Sequence, residues 1–293
     1  MTYLVLLAVS LLLSAIGFWR YIYFFSVGYG FAVAGIGITL LILFHAVLTP
    51  VTCIACILFI IYGVRLGGYL MIREVKSAAY NKILKPENDR SKTIPAGVKI
   101  AIWVSCAILY FLQTSPVIFR LENAAKAVAD GMASVHIEPN AATDAFTIDL
   151  QSFIPTDGAA AWTGLCLMAL GIVLEIAADA QKTAAKKKNP DRFVDSGLYR
   201  IVRCPNYLGE MLLWTGVLVS GIPYLQGAFQ WIIAVLGFLG ITYVMFSGAR
   251  RLEIRQDRNY GNDPVYQKYV RTVPIMIPLI PLYSVKNWKA FVA

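Results

Sequence analysis

The sequence predicts an all-α integral membrane protein, a bundle of seven transmembrane helices with the N-terminus outside and the C-terminus in the cytosol. Composition is the first of three reasons. Hydrophobic residues make up 58% of the 293 and charged residues only 15%, with a mean hydropathy of +0.63; soluble domains carry about 25% charged residues. The second is a series of apolar windows close to the roughly 20 residues that a bilayer-crossing helix needs. The third is the sign of charge in the loops between them, which alternates along the chain.

Tyr3 to Phe25 forms the first window. No basic segment precedes its apolar run, and Trp19-Arg20-Tyr21 stands where a small-residue cleavage site would lie, so it reads as a retained helix rather than a signal peptide. The second, Gly28 to Leu48, closes at Thr49-Pro50, and its Gly30, Ala34, Gly35 and Gly37 predict close packing on a neighbouring helix. Gly28-x-Gly30 is no dinucleotide fingerprint, because no strand precedes it and the third glycine is absent. Val51 to Ile72, Gly97 to Phe119, Ala159 to Ala178, Leu208 to Tyr224 and Phe229 to Ser247 complete the set. In the polar tail, Pro274, Pro278 and Pro281 predict no further helix.

Basic residues set the topology. Arg73, Lys76, Lys82, Lys85, Arg90, Lys92 and Lys99 crowd the connection between the third and fourth windows. Lys182, Lys186, Lys187, Lys188, Arg192, Arg200 and Arg203 crowd that between the fifth and sixth, and the tail carries Arg250, Arg251, Arg255, Arg258, Lys268, Arg271, Lys286 and Lys289. The connection between the fourth and fifth holds Arg120 and Lys126 against Glu122, Asp130, Glu138, Asp144, Asp149 and Asp157. Cations therefore fall on one side, which is the cytosolic side. The net charge of +9 is accounted for by orientation and attraction to anionic headgroups, so membrane lipids and not nucleic acid are the expected partners. Five cysteines, an odd number mostly in apolar windows, form no secreted disulfide framework, and Cys53-x-x-Cys56 lacks the second pair that a metal site needs.

Polar side chains inside apolar windows are the places to look for chemistry. Glu175 and Asp179 are four apart on one face of the fifth window, followed by Gln181 and Lys182. The stretch Gly197-Leu-Tyr-Arg-Ile-Val-Arg-Cys-Pro-Asn-Tyr-Leu-Gly-Glu210 runs straight into the sixth. Pro205 suits the first turn of a helix, and Asn206 and Glu210 then share a face where that helix enters the apolar layer. Tyr62, Arg65 and Tyr69 line one face of the third window; His45 stands in the second and Gln113 in the fourth. No hydrolase or nucleotide-hydrolysing motif is present. The polar groups gather at the cytosolic mouths of the helices. That suits a cleft taking an anionic, water-soluble cofactor from the cytosol and an apolar substrate from the lipid.

The run Ala178-Asp179-Ala180-Gln181-Lys182, the stretch from Gly197 to Glu210 and the tail from Tyr260 through Tyr266 and Tyr269 to Pro278 resemble the steroid 5α-reductase superfamily, in particular its bacterial branch of multi-pass proteins. The likeness covers about the last 120 residues; the first half matches in hydropathy. It implies a seven-helix bundle holding NADPH in a cytosol-facing cavity and reducing a carbon–carbon double bond conjugated to a carbonyl. It further implies a single transmembrane domain: residues 1–120 a four-helix substrate-side half, 121–158 an acidic outer loop, and 159–293 a cofactor-binding half. The resemblance places Asp179, Asn206, Glu210, Arg251 or Arg255, and Tyr260 or Tyr269 at the cofactor, with Gln181 and Tyr207 in the same motifs. Lys182, Arg200 and Arg203 are then expected at its phosphates. Tyr62 in Tyr62-x-x-Arg65 would polarise the substrate carbonyl, helped by Arg65 or His45.

Two positions depart from the pattern. Cys204 stands where the branch usually has histidine before Pro205, and the second window has His45 where the reductases have a glutamate. The expected substrate is a steroid-like or other conjugated lipid, and the expected location a bacterial inner or endoplasmic-reticulum-like membrane. A rival from another reaction class is the isoprenylcysteine carboxyl methyltransferase type, which binds S-adenosylmethionine. It shares the Gly197-x-Tyr199-x-x-x-Arg203-x-Pro205-x-Tyr207-x-Gly209 pattern; Asn206, Glu210 and the Asp179-x-Gln181-Lys182 run favour the reductase. A non-catalytic lipid-binding protein on the same scaffold is the third reading.

Overall fold

A computed structural model describes residues 1–76, 92–134 and 154–291, and all regular structure within them is helical. The long helices are α1 (Thr2–Ser14), α2 (Val27–Leu43), α3 (Pro50–Lys76), α4 (Ala96–Ser134), α5 (Ala159–Lys188), α6 (Pro205–Gly221) and α7 (Gly227–Tyr260), followed by the short α8 (Pro264–Thr272). Lys82, Lys85, Arg90, Glu138, Asp144 and Asp149, which entered the charge argument, lie outside the described residues.

Four helical segments, Pro50–Glu74, Ala96–Met132, Ala159–Lys188 and Gly227–Tyr260, are long and apolar enough to cross a membrane. The other three predicted spans come out shorter. The first breaks at Ser14 into two 3-10 turns, Ala15–Phe18 and Tyr21–Phe25, because the Phe24 ring folds back onto Gly17, 2.0 Å from where a Cβ would stand. The second ends at Leu43, and the sixth has 17 residues. Two further expectations are corrected. Residues 121–134 continue α4 rather than opening a loop, since Leu121, Glu122, Ala124, Ala125 and Lys126 are good helix formers. At 39 residues, α4 is about 58 Å long, nearly twice a bilayer core. The tail does hold a helix, α8. Pro264 starts it, and the Asp263 carboxylate caps it by accepting from the Val265 N–H at 2.8 Å.

The chain divides into two compact units, Met1–Leu165 with Val217–Gly237, and Cys166–Gly216 with Phe238–Ala293. In the first, α2 and α3 pack backbone to backbone. A Cβ on Gly63 would lie 2.2 Å from the Gly30 carbonyl oxygen, and one on Gly37 would lie 2.7 Å from that of Cys56. Gly35 instead makes room for the side chains of Val9 and Leu13 on α1. The small residues of the second window therefore serve helix contact. Two ion pairs fasten the ends of this unit, the first with a partly exposed arginine and the second buried. Arg20 pairs with Glu74 at the end of α3, and Arg120 pairs with Asp157 while stacking on the Tyr224 ring at 3.9 Å. The other Asp157 oxygen accepts from the Val51 N–H at 3.0 Å, a carboxylate at the positive end of α3.

In the second unit, α5 and α6 run antiparallel in backbone contact. A Cβ on Gly171 would lie 2.5 Å from the Gly209 carbonyl oxygen, and one on Gly209 would lie 2.7 Å from that of Gly171. The chain after α8 is tied back by backbone bonds from Arg203 to Pro274 and from Cys204 to Ile275, both 2.9 Å. Phe193 collects the rings of Tyr260, Tyr266 and Tyr269 within 5.1–5.8 Å. This small aromatic core lies at the polar end of the unit.

Candidate functional site

The α5–α6 contact decides where the motif residues of the second unit stand. Gly209 abuts the Glu175 backbone, its Cβ position 2.8 Å from the Glu175 nitrogen. Asp179 is one turn beyond Glu175, and Asn206 is one turn short of Glu210. Because the helices are antiparallel, those two steps go in the same direction, and Asp179 and Asn206 arrive within about one turn of each other along the axis. Glu175 and Glu210 are both buried behind them. Tyr207 covers Gly248 of α7, its hydroxyl 3.2 Å from that Cβ position, and the charges of Arg251, Arg255 and Glu210 reach that hydroxyl. Carboxylates, an amide, a phenol and two exposed arginines are thereby gathered from three helices.

Other expected cofactor residues are engaged in holding the fold. Arg203 is 3% exposed; it donates to Glu253 at 2.9 Å and to the Tyr283 carbonyl. Gln181 accepts from the Leu198 N–H at 2.8 Å and so braces the turn where Gly197 takes a φ of +61°. The Tyr260 hydroxyl accepts from Lys186 at 2.8 Å, and the Tyr269 hydroxyl donates to the Tyr199 carbonyl at 2.7 Å. Arg200 is exposed, and the charge of Lys182 is felt at Cys204. Burial pushes the Cys204 thiol from 9.0 up to about 11, outweighing the pull of Arg203 and Lys182 in the other direction. Burial also raises Tyr266 and Tyr269, Tyr266 further through its hydrogen bond to Asp257.

Glu253 and Asp257 escaped the sequence reading. Their signal was present: two acids four apart on one face of a helix whose neighbours are mostly cationic. Glu253 takes Arg203 and the Val285 N–H, while Asp257 takes Tyr266 and Lys286.

In the first unit, Tyr62 is fully buried and its hydroxyl donates to that of Tyr29 at 3.1 Å. Tyr29 in turn lies against the Tyr110 ring at 5.0 Å, and the Tyr110 hydroxyl donates to the Phe24 carbonyl. Arg65 lies over Tyr69, its carbon 5.5 Å from the ring centre, and Arg73 lies over the same ring at 5.3 Å. His45 is not part of this group. It is exposed beyond the far end of α2, 16 residues or about 24 Å along the axis from Tyr29, and its Nδ1 contacts the Ile42 carbonyl at 3.1 Å. The second window stops short of His45 because α2 ends at Leu43, so the histidine cannot tune Tyr62.

No curated protein and no solved structure matches the chain. A family model described as a protein of unknown function (DUF1295) matches residues 142–273, and that family belongs to the steroid 5-alpha reductase-like group. Over that stretch, which holds α5, α6, α7 and α8, the chain is similar to DUF1295.

Proposed function

We propose that the protein is a membrane-embedded, NADPH-dependent reductase acting on a carbon–carbon double bond conjugated to a carbonyl in a steroid-like or other lipid substrate. The observation that supports it best is the convergence of Asp179, Asn206, Tyr207 and Glu210 with Arg251 and Arg255 at one end of α5, α6 and α7. That donor set fits a dinucleotide. Carboxylates and an amide suit the hydroxyl and amide groups of its sugars and nicotinamide, and the exposed arginines, joined by Lys182 and Arg200, suit its phosphates. Arg203, Gln181, Tyr260 and Tyr269 support this set from beneath, through the bonds already described.

NADPH when bound supplies a hydride, and the protein supplies position and field. As reduction proceeds, negative charge builds on the carbonyl oxygen. The Tyr62–Tyr29 hydroxyl pair can be turned so that one phenol donates outward, since each is both donor and acceptor. One well-placed donor in a water-poor site contributes about 3–4 kcal/mol to such a transition state. We place the site in a seven-crossing bundle, N-terminus outside and cofactor end in the cytosol, because the basic connections lie on that side.

Detergent-purified protein should be thermally stabilised by NADPH and not by S-adenosylmethionine, because a ligand that binds the native state raises apparent stability. Asn206→Ala and Glu210→Ala should abolish the shift. Stabilisation by the methyl donor alone would instead identify a methyltransferase.

A further inference from the structure

Gln113 sits in the middle of α4, is 3% exposed, and neither its Nε2 nor its Oε1 finds a hydrogen-bond partner among the described residues. A primary amide in that condition is expensive inside a membrane protein, where no solvent compensates it. Its surroundings are specific. On one side of α4, the carbonyl that Pro116 leaves without its helical donor is that of Leu112, and Gly237 closes against it: a Cβ there would stand 2.2 Å away. Gly221 closes against Pro116 itself. The next stripe of the helix runs Cys106, Tyr110, Gln113, Val117, spaced three and four apart, and all four are buried. Tyr110 on this stripe lies against the Tyr29 ring, and Tyr29 is hydrogen-bonded to Tyr62. Gln113 thus lies one turn along α4 from the tyrosine cluster, about 5 Å by helix rise.

An amide offers both a donor and an acceptor, so it can meet a carbonyl or a hydroxyl equally well. Ser105 and Thr114 return their hydroxyls to the helix, Thr114 to the Tyr110 carbonyl at 2.9 Å. Gln113 does not, and neither does its neighbour Ser115, whose buried hydroxyl also lacks a partner among the described residues. We propose that the Gln113 carboxamide binds the carbonyl or hydroxyl of a lipid-soluble ligand held along the α4 stripe beside Tyr110. Identifying that oxygen as the one conjugated to the reduced double bond rests on the reductase reading; the binding does not.

The probe is a long-chain α,β-unsaturated ketone bearing a photoreactive diazirine, added to the full-length protein in detergent. Cross-linking should map to the α4 peptide and be competed by the unlabelled ketone. Gln113→Leu and the near-isosteric Gln113→Met should weaken binding about tenfold, the loss of one hydrogen bond, and melt no lower than wild type, because each removes a desolvated amide. NADPH should stabilise both variants as it does wild type. Undiminished labelling in either variant would overturn the proposal. So would a lowered melting temperature in both, since the amide would then be serving the fold. If NADPH fails to stabilise wild type while labelling still depends on Gln113, the ligand site stands and the reductase reading falls.

Discussion

Arg203 Nη2 donates to Glu253 Oε1 at 2.9 Å, and both side chains are almost wholly buried, at 2% and 1% exposure. The second Glu253 oxygen accepts from the Val285 N–H, so the pair joins the start of α6, the C-terminal third of α7 and the returning tail. An arginine that the motif suggested for a phosphate is thereby committed to the fold. Arg203→Ala or Glu253→Ala should each cost about 3–5 kcal/mol, because the surviving charge is left buried and unpaired. Replacing both with Met and Leu should recover much of that. Melting temperatures in detergent would decide it, and single variants as stable as wild type would mean the pair is solvated.

The α2–α3 contact predicts a graded response to one methyl group. Gly63→Ala places a Cβ 2.2 Å from the Gly30 carbonyl and must push the helices apart, at about 1–3 kcal/mol. Gly68→Ala, five residues on, meets nothing within 4 Å among the described residues and should be neutral or stabilising by up to about 1 kcal/mol. Comparing the two variants by thermal unfolding separates close packing from a general intolerance of larger residues in α3.

Cys204 predicts an alkaline limb. Its thiol is raised by burial from 9.0 to about 11, so the native state holds the proton where the unfolded state has lost it. The associated stability is present below pH 9 and is lost as pH rises from 9 towards 11. Cys204→Ala should lack that part of the decline while other groups titrate as before. Thiol alkylation at pH 8 should be slow at this position in the folded protein and rapid once it unfolds.

Tyr62→Phe tests the chemistry rather than the fold. The change removes one hydroxyl from the Tyr29 pair, so NADPH-dependent stabilisation should persist while turnover of a conjugated ketone falls by about a hundredfold or more. Unchanged turnover would remove Tyr62 from the reaction. His45→Ala, at the exposed end of α2, should leave both readouts as they are.

Much of the helical order was legible because apolar windows and glycine spacing are local properties. Gly30, Ala34, Gly35 and Gly37 predicted close packing, and the structure supplies their partners on α1 and α3. The ends of elements were less legible. A ring folding onto Gly17 shortened α1, and an Asp-Pro start created α8 within a segment that its later prolines had marked as irregular. Asp179, Asn206 and Glu210 could be chosen from residue type and spacing alone, yet only the antiparallel contact at Gly171 and Gly209 brings them to the same end of two helices.

By itself, the sequence determined the class of molecule, the apolar helices and the candidate polar residues, since each follows from composition and period along the chain. Which of those residues are tied into the fold was decided only by tertiary structure. Arg203 and Tyr269 carry the same groups as a phosphate or ribose contact would, but burial beside Glu253 and the Tyr199 carbonyl commits them to the fold. The reverse holds for Gln113. A glutamine in an apolar window says nothing about its partners, and its lack of one among the described residues emerges only when the helices around it are packed.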